Sequence, residues 1–230
     1  MVLSSTDWRA EFRQVPASGA KANARTFTYD IDATGERAVV SLARKTTGVA
    51  SVLARRDLAT RSAADREAFM KARMERPGFT LSRVEVANAT EAAAPLVVTA
   101  KGTQALERTS VLTLDPFPGM DAGLYLPETL PEQRLDPILM PYLGSQEAVS
   151  VIRVPKGYRL PEPVLAGCSN RWGSVVLKAS QDPASGDVRV EMKDAIDSAM
   201  DLADGYEDFR EFLKGVRSAV YPLIILERQD

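Results

Sequence analysis

The chain has 230 residues, 45% of them hydrophobic and 26% charged, a composition that suits one large or two small globular domains and excludes disorder. With 29 basic and 31 acidic residues the net charge is -2, so there is no global cationic excess to drive binding to nucleic acid or to an anionic membrane surface. Histidine is absent and cysteine occurs once, as Cys168. This excludes Ser-His-Asp and Cys-His catalytic arrangements, histidine-based metal sites and an intramolecular disulfide.

Residues 1–24 are rich in Ala, Ser and Gly, with Trp8 and Phe12 as the only anchors, and read as a weakly ordered lead-in. Phe27, Tyr29 and Ile31 then alternate with polar residues, Asp32-Ala33-Thr34-Gly35 supplies a turn, and Ala38, Val40 and Leu42 alternate again. Period two on both sides of a glycine turn predicts a β-hairpin with one buried face. Ser62 followed by Asp65 marks a helix start, Phe69, Met70 and Met74 share one arc, and Pro77-Gly78 stops the run, so a helix is predicted over 62–76. Strands are expected at 79–86, 95–100 and 109–114. Pro116, Pro118, Pro127, Pro131, Pro137 and Pro141 make 115–144 an irregular connection, with a packed strand around 123–126 and a domain boundary near residue 144.

The second half opens on an apolar, β-branched run at 148–154, broken by Pro155-Lys156-Gly157. Further strands are expected at 172–178 and, after the turn at 182–186, around Val188, Val190 and Met192. Leu202, Tyr206, Phe209, Leu213, Val216 and Val220 recur at intervals of four and three, one face of a helix over 203–220 that Asp204 can cap. Pro222 ends it, and 223–226 reads as a closing strand buried on both faces. No apolar run approaches the roughly 18 residues of a membrane span, and the first residues lack the basic and apolar regions of a signal peptide. The expected fold is mainly β, antiparallel and β-sandwich-like, with two short helices: a β-rich domain over 25–144 and a second over 145–230.

Several segments of the second half carry a resemblance. They are Val154-Pro155-Lys156-Gly157-Tyr158, Leu160-Pro161, Trp172-Gly173-Ser174, Gly186-Asp187-Val188, Tyr206-Glu207-Asp208-Phe209, Phe212-Leu213 and Ile224-Ile225-Leu226. Their succession resembles the C-terminal β-sandwich domain of bacterial transglutaminase-like proteins, in which β-rich domains of unknown function flank a papain-like core. The first half, with its Gly48 loop, Arg55-Arg56 pair, short helix, and Arg134 with Pro137, is similar to the flanking β-domain in order of elements. The resemblance covers 25–228. That family's core uses a Cys, a His and an Asp, and a chain without histidine cannot carry it. The resemblance therefore implies a non-catalytic part of such a protein, in the periplasm or at the cell surface, and carries over no catalytic residue.

Other candidate chemistry is weighed residue by residue. Cys168 needs a lowered pKa to react; Arg171 is three residues away, but without a histidine base the ordinary small thiol is the better reading. Asp194, Asp197, Asp201 and Asp204 supply hard oxygens without the spacing of a calcium loop, and read as an acidic loop with a helix cap. Glu85 or Glu107 with another acid could form a glycosidase pair, but no spacing singles one out. Arg55, Arg56, Arg61, Arg66, Arg73 and Arg76 make 55–76 basic, but Asp57, Asp65, Glu67 and Glu75 are interspersed, as on a salt-bridged surface helix. Asn88-Ala89-Thr90 is a glycosylation sequon of little weight in a bacterial-looking chain. Trp172, Tyr158 and Tyr206 are either a sugar-stacking platform or core.

The expected function is a non-catalytic accessory or interaction module that binds a protein or cell-envelope partner through a sheet edge or an inter-domain groove. The alternatives are a carbohydrate-binding module and a carboxylate-only hydrolase. No catalytic, cofactor-binding or metal-ligating residue is assigned, and no nucleic acid, membrane span or small-molecule cofactor is expected.

Overall fold

The computed structural model of the chain describes residues 2–3, 10–11, 19–120, 138–139, 143–198, 200–201, 205–220 and 222–229. The lead-in therefore lies largely outside the described residues, and the strand expected at 123–126 lies wholly outside them.

The predicted hairpin is formed by β1 (Ala24–Asp32) and β2 (Arg37–Thr46), with Arg25 opposite Thr46 and Asp32 opposite Val39. Its turn is held by Asp32, whose Oδ1 accepts from the Thr34 N–H (3.0 Å) and hydroxyl (2.6 Å). Helix α1 (Gly48–Leu58) and helix α2 (Ala63–Met74) follow. Ser62 caps α2 by accepting from the Asp65 N–H at 3.2 Å, and α2 buries Met70 and Met74 as the periodicity requires. Strands β3 (Phe79–Ala87), β4 (Leu96–Ala105) and β5 (Val111–Leu114) complete the first half. The second half contributes β6 (Gly144–Arg153), β7 (Val164–Asn170), β8 (Gly173–Gln181), β9 (Val188–Ile196), helix α3 (Tyr206–Val220) and β10 (Ile224–Arg228).

Eight of these strands make one sheet in the order β7-β8-β9-β6-β1-β2-β4-β3. Every neighbouring pair is antiparallel except β6 and β1, which run parallel with Ala148 beside Phe27 and Ile152 beside Ile31. The sheet is thus open and mixed rather than antiparallel throughout, and it runs without interruption from the first half of the chain into the second. A smaller sheet is built from Tyr158–Arg159, β10, β5 and Glu107–Arg108. Its buried Leu112, Leu114, Ile224 and Leu226 belong to the same apolar core as the large sheet.

Period-two patterning puts that core on one face of the eight strands. Tyr29 on β1, Leu42 on β2, Val98 on β4, Ile152 on β6, Val190 on β9 and Val175 on β8 all point inward. Helix α2 packs beside β3, and α3 lies across β7, β8 and β9. The opposite face is left open and carries Thr28, Ser41, Lys101, Glu147 and Lys178 among others.

Among the described residues there are three α-helices where two were expected. The additional one, α1, has no side-chain cap of its own at Thr47; instead the Val49 N–H is bonded by Asn23 Oδ1 at 2.8 Å, from 26 residues away. A start signal supplied by another element leaves no local trace in the sequence. The closing strand also differs: Leu223 and Ile225 are 65% and 50% exposed, so β10 and the residues leading into it bury one side only.

Helix α3 shows the predicted stripe. Tyr206, Phe209, Leu213 and Val216 are buried, joined by Phe212 and Ala219, and Phe209 packs its ring 4.7 Å from that of Trp172. Leu202 lies outside the described residues. Large buried side chains contribute roughly 1.5–3 kcal/mol each before entropy costs, so this face dominates the docking of α3. Phe209→Asp places a charge against Trp172 and is expected to destabilise the protein by about 4 kcal/mol or more; a urea midpoint close to the parent's would contradict this docking.

Candidate functional site

Each chemical candidate from the sequence can be located. Cys168 lies on the core-facing side of β7, directly under α3, where a Cβ built on Gly215 would fall 2.2 Å from its Sγ. Burial, with the nearby Glu211 carboxylate, pushes the thiol above its ordinary value. The Arg171 guanidinium instead meets Asp208, Nε to Oδ2 at 3.1 Å. The thiol is therefore a packing group without the cation that would activate it.

Asp194 and Asp197, close in sequence, are separated by the fold. Asp194 is on the core side of β9, its Oδ2 accepting from Gln146 Nε2 at 2.9 Å while Gln146 Oε1 accepts from Arg25 Nη1 at 3.3 Å. Cross-strand register aligns the three: Arg25 faces Gln146, which faces Asp194. Burial raises the Asp194 carboxyl to about 7. Asp197 lies past the end of β9, its N–H donating to the Trp172 carbonyl at 3.0 Å. Asp201 pairs with Ile138 in a two-residue ladder, and Asp204 lies outside the described residues. Among the described residues no three or more His, Cys, Asp or Glu side chains gather as a metal site would require.

The arginines are engaged with their own neighbourhood. Arg55 is buried and donates to Ser51 Oγ (2.8 Å) and to the carbonyls of Asn88 (3.1 Å) and Ala94, tying α1 to the β3–β4 connection. Arg56 and Arg73 approach Asp57 at 3.7 and 3.6 Å. Arg61 lies 4.2 Å over the Phe69 ring, Arg66 donates to the Leu58 carbonyl, and Arg76 donates to that of Met120. Glu85 pairs with Arg83, and Glu107 stands exposed at the end of the small sheet. Trp172 and Tyr206 are core residues and Tyr158 is half-buried, so they form no exposed stacking platform.

What the fold leaves accessible is the open face of the large sheet and its two edges. Among the described residues the open face holds shallow hollows of about 470 and 480 Å³. The first has a floor of Thr28, Ala43 and Thr99 with Asp30, Arg83, Glu85 and Lys101 around it. The second lies over β6, β9 and β8. Asp194 and Gln146 border it through backbone only, since strand alternation sends their side chains to the core. Much of the charge here is already paired: Arg153 with Asp30 at 2.7 Å, Lys193 with Glu147 at 3.3 Å. No helix among the described residues is long and apolar enough to cross a membrane.

The two edges are unlike each other. On β3 the register shifts between Leu81 and Arg83, the strand carries Arg83 and Glu85, and the Leu81 N–H is occupied by Glu75 Oε1 at 2.8 Å. A bulge, charges and a capped donor are three ways of preventing another strand from joining. Edge strand β7, Val164-Leu165-Ala166-Gly167-Cys168-Ser169-Asn170, has no charge, no proline and an unbroken register with β8 from Val164–Ala179 to Asn170–Gly173. Leu165 is 75% exposed, and among the described residues no strand pairs with the outer side of β7. Small residues carry little strand propensity, so nothing in this segment by itself marks a strand. The signal that exposes it is the stretch from Asn170 to Gly173, where the Trp172 N–H bonds Asn170 Oδ1 at 2.9 Å and turns the chain back into β8.

Comparison with protein families, curated proteins and solved structures finds no match for this chain.

Two measurements check this geometry. Alanine in place of a helix-interior glycine ordinarily stabilises by about 1 kcal/mol, but at Gly215 the new methyl meets Cys168 Sγ, and overpacking costs roughly 1–3 kcal/mol. Gly215→Ala is expected to lower the urea midpoint in the parent and to raise it in a Cys168→Ala background, where the sulfur is gone; the same sign in both backgrounds would refute the contact. For Asp194 the folded pKa lies above the unfolded value of 3.8, so the native state binds the extra proton and stability falls as pH rises from about 4 to about 7. Asp194→Asn should flatten that decline and be the more stable protein at pH 8, by a few kcal/mol at most. An unchanged pH slope would show that Asp194 is not the group responsible.

Proposed function

We propose that the chain is a non-catalytic interaction module that takes up an extended segment of a protein partner along β7. The observation that carries this reading is the contrast between the edges: β3 is bulged, charged and capped, whereas β7 is regular, uncharged and exposed at Leu165. Unpaired N–H and C=O groups on an unguarded edge recognise a polypeptide backbone directly, and the side chains on either side of the strand add selectivity.

The family context belongs to the same proposal. The residue pattern over 154–226 supports a place beside the core of a bacterial transglutaminase-like protein, with the periplasmic or cell-surface setting this implies. The β-sandwich-like organisation is part of that proposal, and the apolar core shared by the small and large sheets supports it. The alternatives have less behind them. Sugar stacking needs exposed rings, and Trp172 and Tyr206 are buried. A carboxylate hydrolase needs acids free for proton transfer over one hollow, whereas Asp30, Glu85, Glu147 and Glu191 around the hollows are ion-paired, with Arg153, Arg83, Lys193 and Arg189 in turn.

Panning a library of unstructured dodecamer peptides against the whole chain tests the reading. Selected binders are expected to compete with one another, to lose at least about tenfold in affinity for Leu165→Lys, and to bind Val39→Lys, on the open face, like the parent. Binders indifferent to Leu165→Lys would place recognition elsewhere.

A further inference from the structure

Of the large hydrophobic side chains left exposed, Val164, Leu165 and Val176 gather at the β7 edge. The charges around them select no partner. On the flank of α3 beside the edge, exposed Glu211 is neighboured by exposed Lys214, and Glu207 is answered by Arg210 at 3.4 Å. Lys178, opposite Leu165, stands behind it on the side away from an added strand. What distinguishes this edge is its shape.

Side chains alternate across β7, and Leu165 and Gly167 are successive residues of its open face. Leu165, 75% exposed, is a projection. Gly167 is a notch beside it, with no side chain of its own and with Val176, 37% exposed, behind it on β8. The notch is fixed, because a Cβ on Gly167 would fall 2.4 Å from the Val175 carbonyl oxygen. A projection and a notch two residues apart on one strand are complementary to the same strand turned about a two-fold axis. Two antiparallel copies of β7 keep both open faces on one side only in registers that pair residues of like face. The register centred on Ala166 sets each Leu165 opposite the partner's Gly167 and against the partner's Val176. Val164 then lies opposite the partner's Cys168, and Ala166 meets its own counterpart at the axis. No charged residue occurs on β7, so nothing on the strand opposes this pairing.

Resting on the reading of β7 as a docking edge, we infer that its partner is a second copy of this chain, paired antiparallel about a two-fold axis at Ala166 so that each Leu165 fills the other's notch at Gly167. The backbone ladder joins the two eight-stranded sheets into one. A seven-residue strand is roughly 24 Å long, too short a strip to reach the roughly 1,200 Å² at which standard interfaces begin. The dimer is accordingly reversible, with a dissociation constant on the order of 10–100 μM.

Sedimentation equilibrium of the whole chain from about 1 to about 500 μM tests this. The weight-average mass is expected to rise with concentration from 25.0 kDa toward twice that value. Leu165→Lys should weaken the association at least about tenfold, and Val39→Lys, elsewhere on the open face, should leave it unchanged. In a Cys168→Ala background, Ala166→Cys puts the lone thiol at the axis, where opposed Cβ atoms lie about 5 Å apart; mild oxidation should link the copies at least about tenfold faster than for Ser180→Cys on β8. A dimer indifferent to Leu165→Lys, or one in which Ala166→Cys crosslinks no faster than Ser180→Cys, would overturn the inference. A chain that stays monomeric throughout yet binds panned dodecamers in a Leu165-dependent way would overturn self-pairing and leave β7 as the docking edge for another protein. A monomer that binds no peptide would overturn both.

Discussion

The parallel pairing of β1 with β6 is the constraint on which the rest of the molecule depends. It joins two antiparallel four-strand sets into one sheet and aligns their buried faces, Phe27 beside Ala148 and Ile31 beside Ile152. Because side chains alternate with a period of two, a slip of one residue here would turn every apolar residue of one half outward. The same register sets Arg25, Gln146 and Asp194 in a line across three strands, so a buried polar row marks the junction as well as an apolar one. Buried polar groups of this kind are costly to leave unpaired, which penalises any other alignment of the halves.

With one face of the sheet given to the core, the remaining opportunities for recognition are the open face and the edges. The open face is polar, with much of its charge compensated within the sheet, as Arg153 is by Asp30 and Lys193 by Glu147. The edge at β3 is closed by Glu75, the bulge and charge. The edge at β7 is supported from beneath by α3 through Cys168 and Gly215, so it is held in an extended, regular form while its outer side stays accessible. Close approach of thiol and glycine lets α3 back the strand directly and helps a run of small residues stay extended. The function proposed for the chain draws on that rigidity, since a preformed edge loses little freedom when a partner strand joins it.

Local sequence and tertiary structure divided the determination of this protein along a clear physical line. Patterns that repeat within a few residues were legible: the hairpin of β1 and β2, the cap and arc of α2, the stripe of α3, and the exclusion of imidazole chemistry by the absence of histidine. Each rests on a period or a cap that neighbouring residues supply by themselves. Helix α1 was not legible, because the Val49 N–H in its first turn is satisfied by Asn23 from a different element, and β7 was not, because its extended form comes from pairing with β8 and packing on α3. The mixed sheet was hidden for the same reason: β1 and β6 are more than a hundred residues apart, and nothing in either strand states which direction its neighbour runs. Composition and periodicity determined which residues turn inward; only the fold decided which strands meet, and therefore which edge is left for another chain.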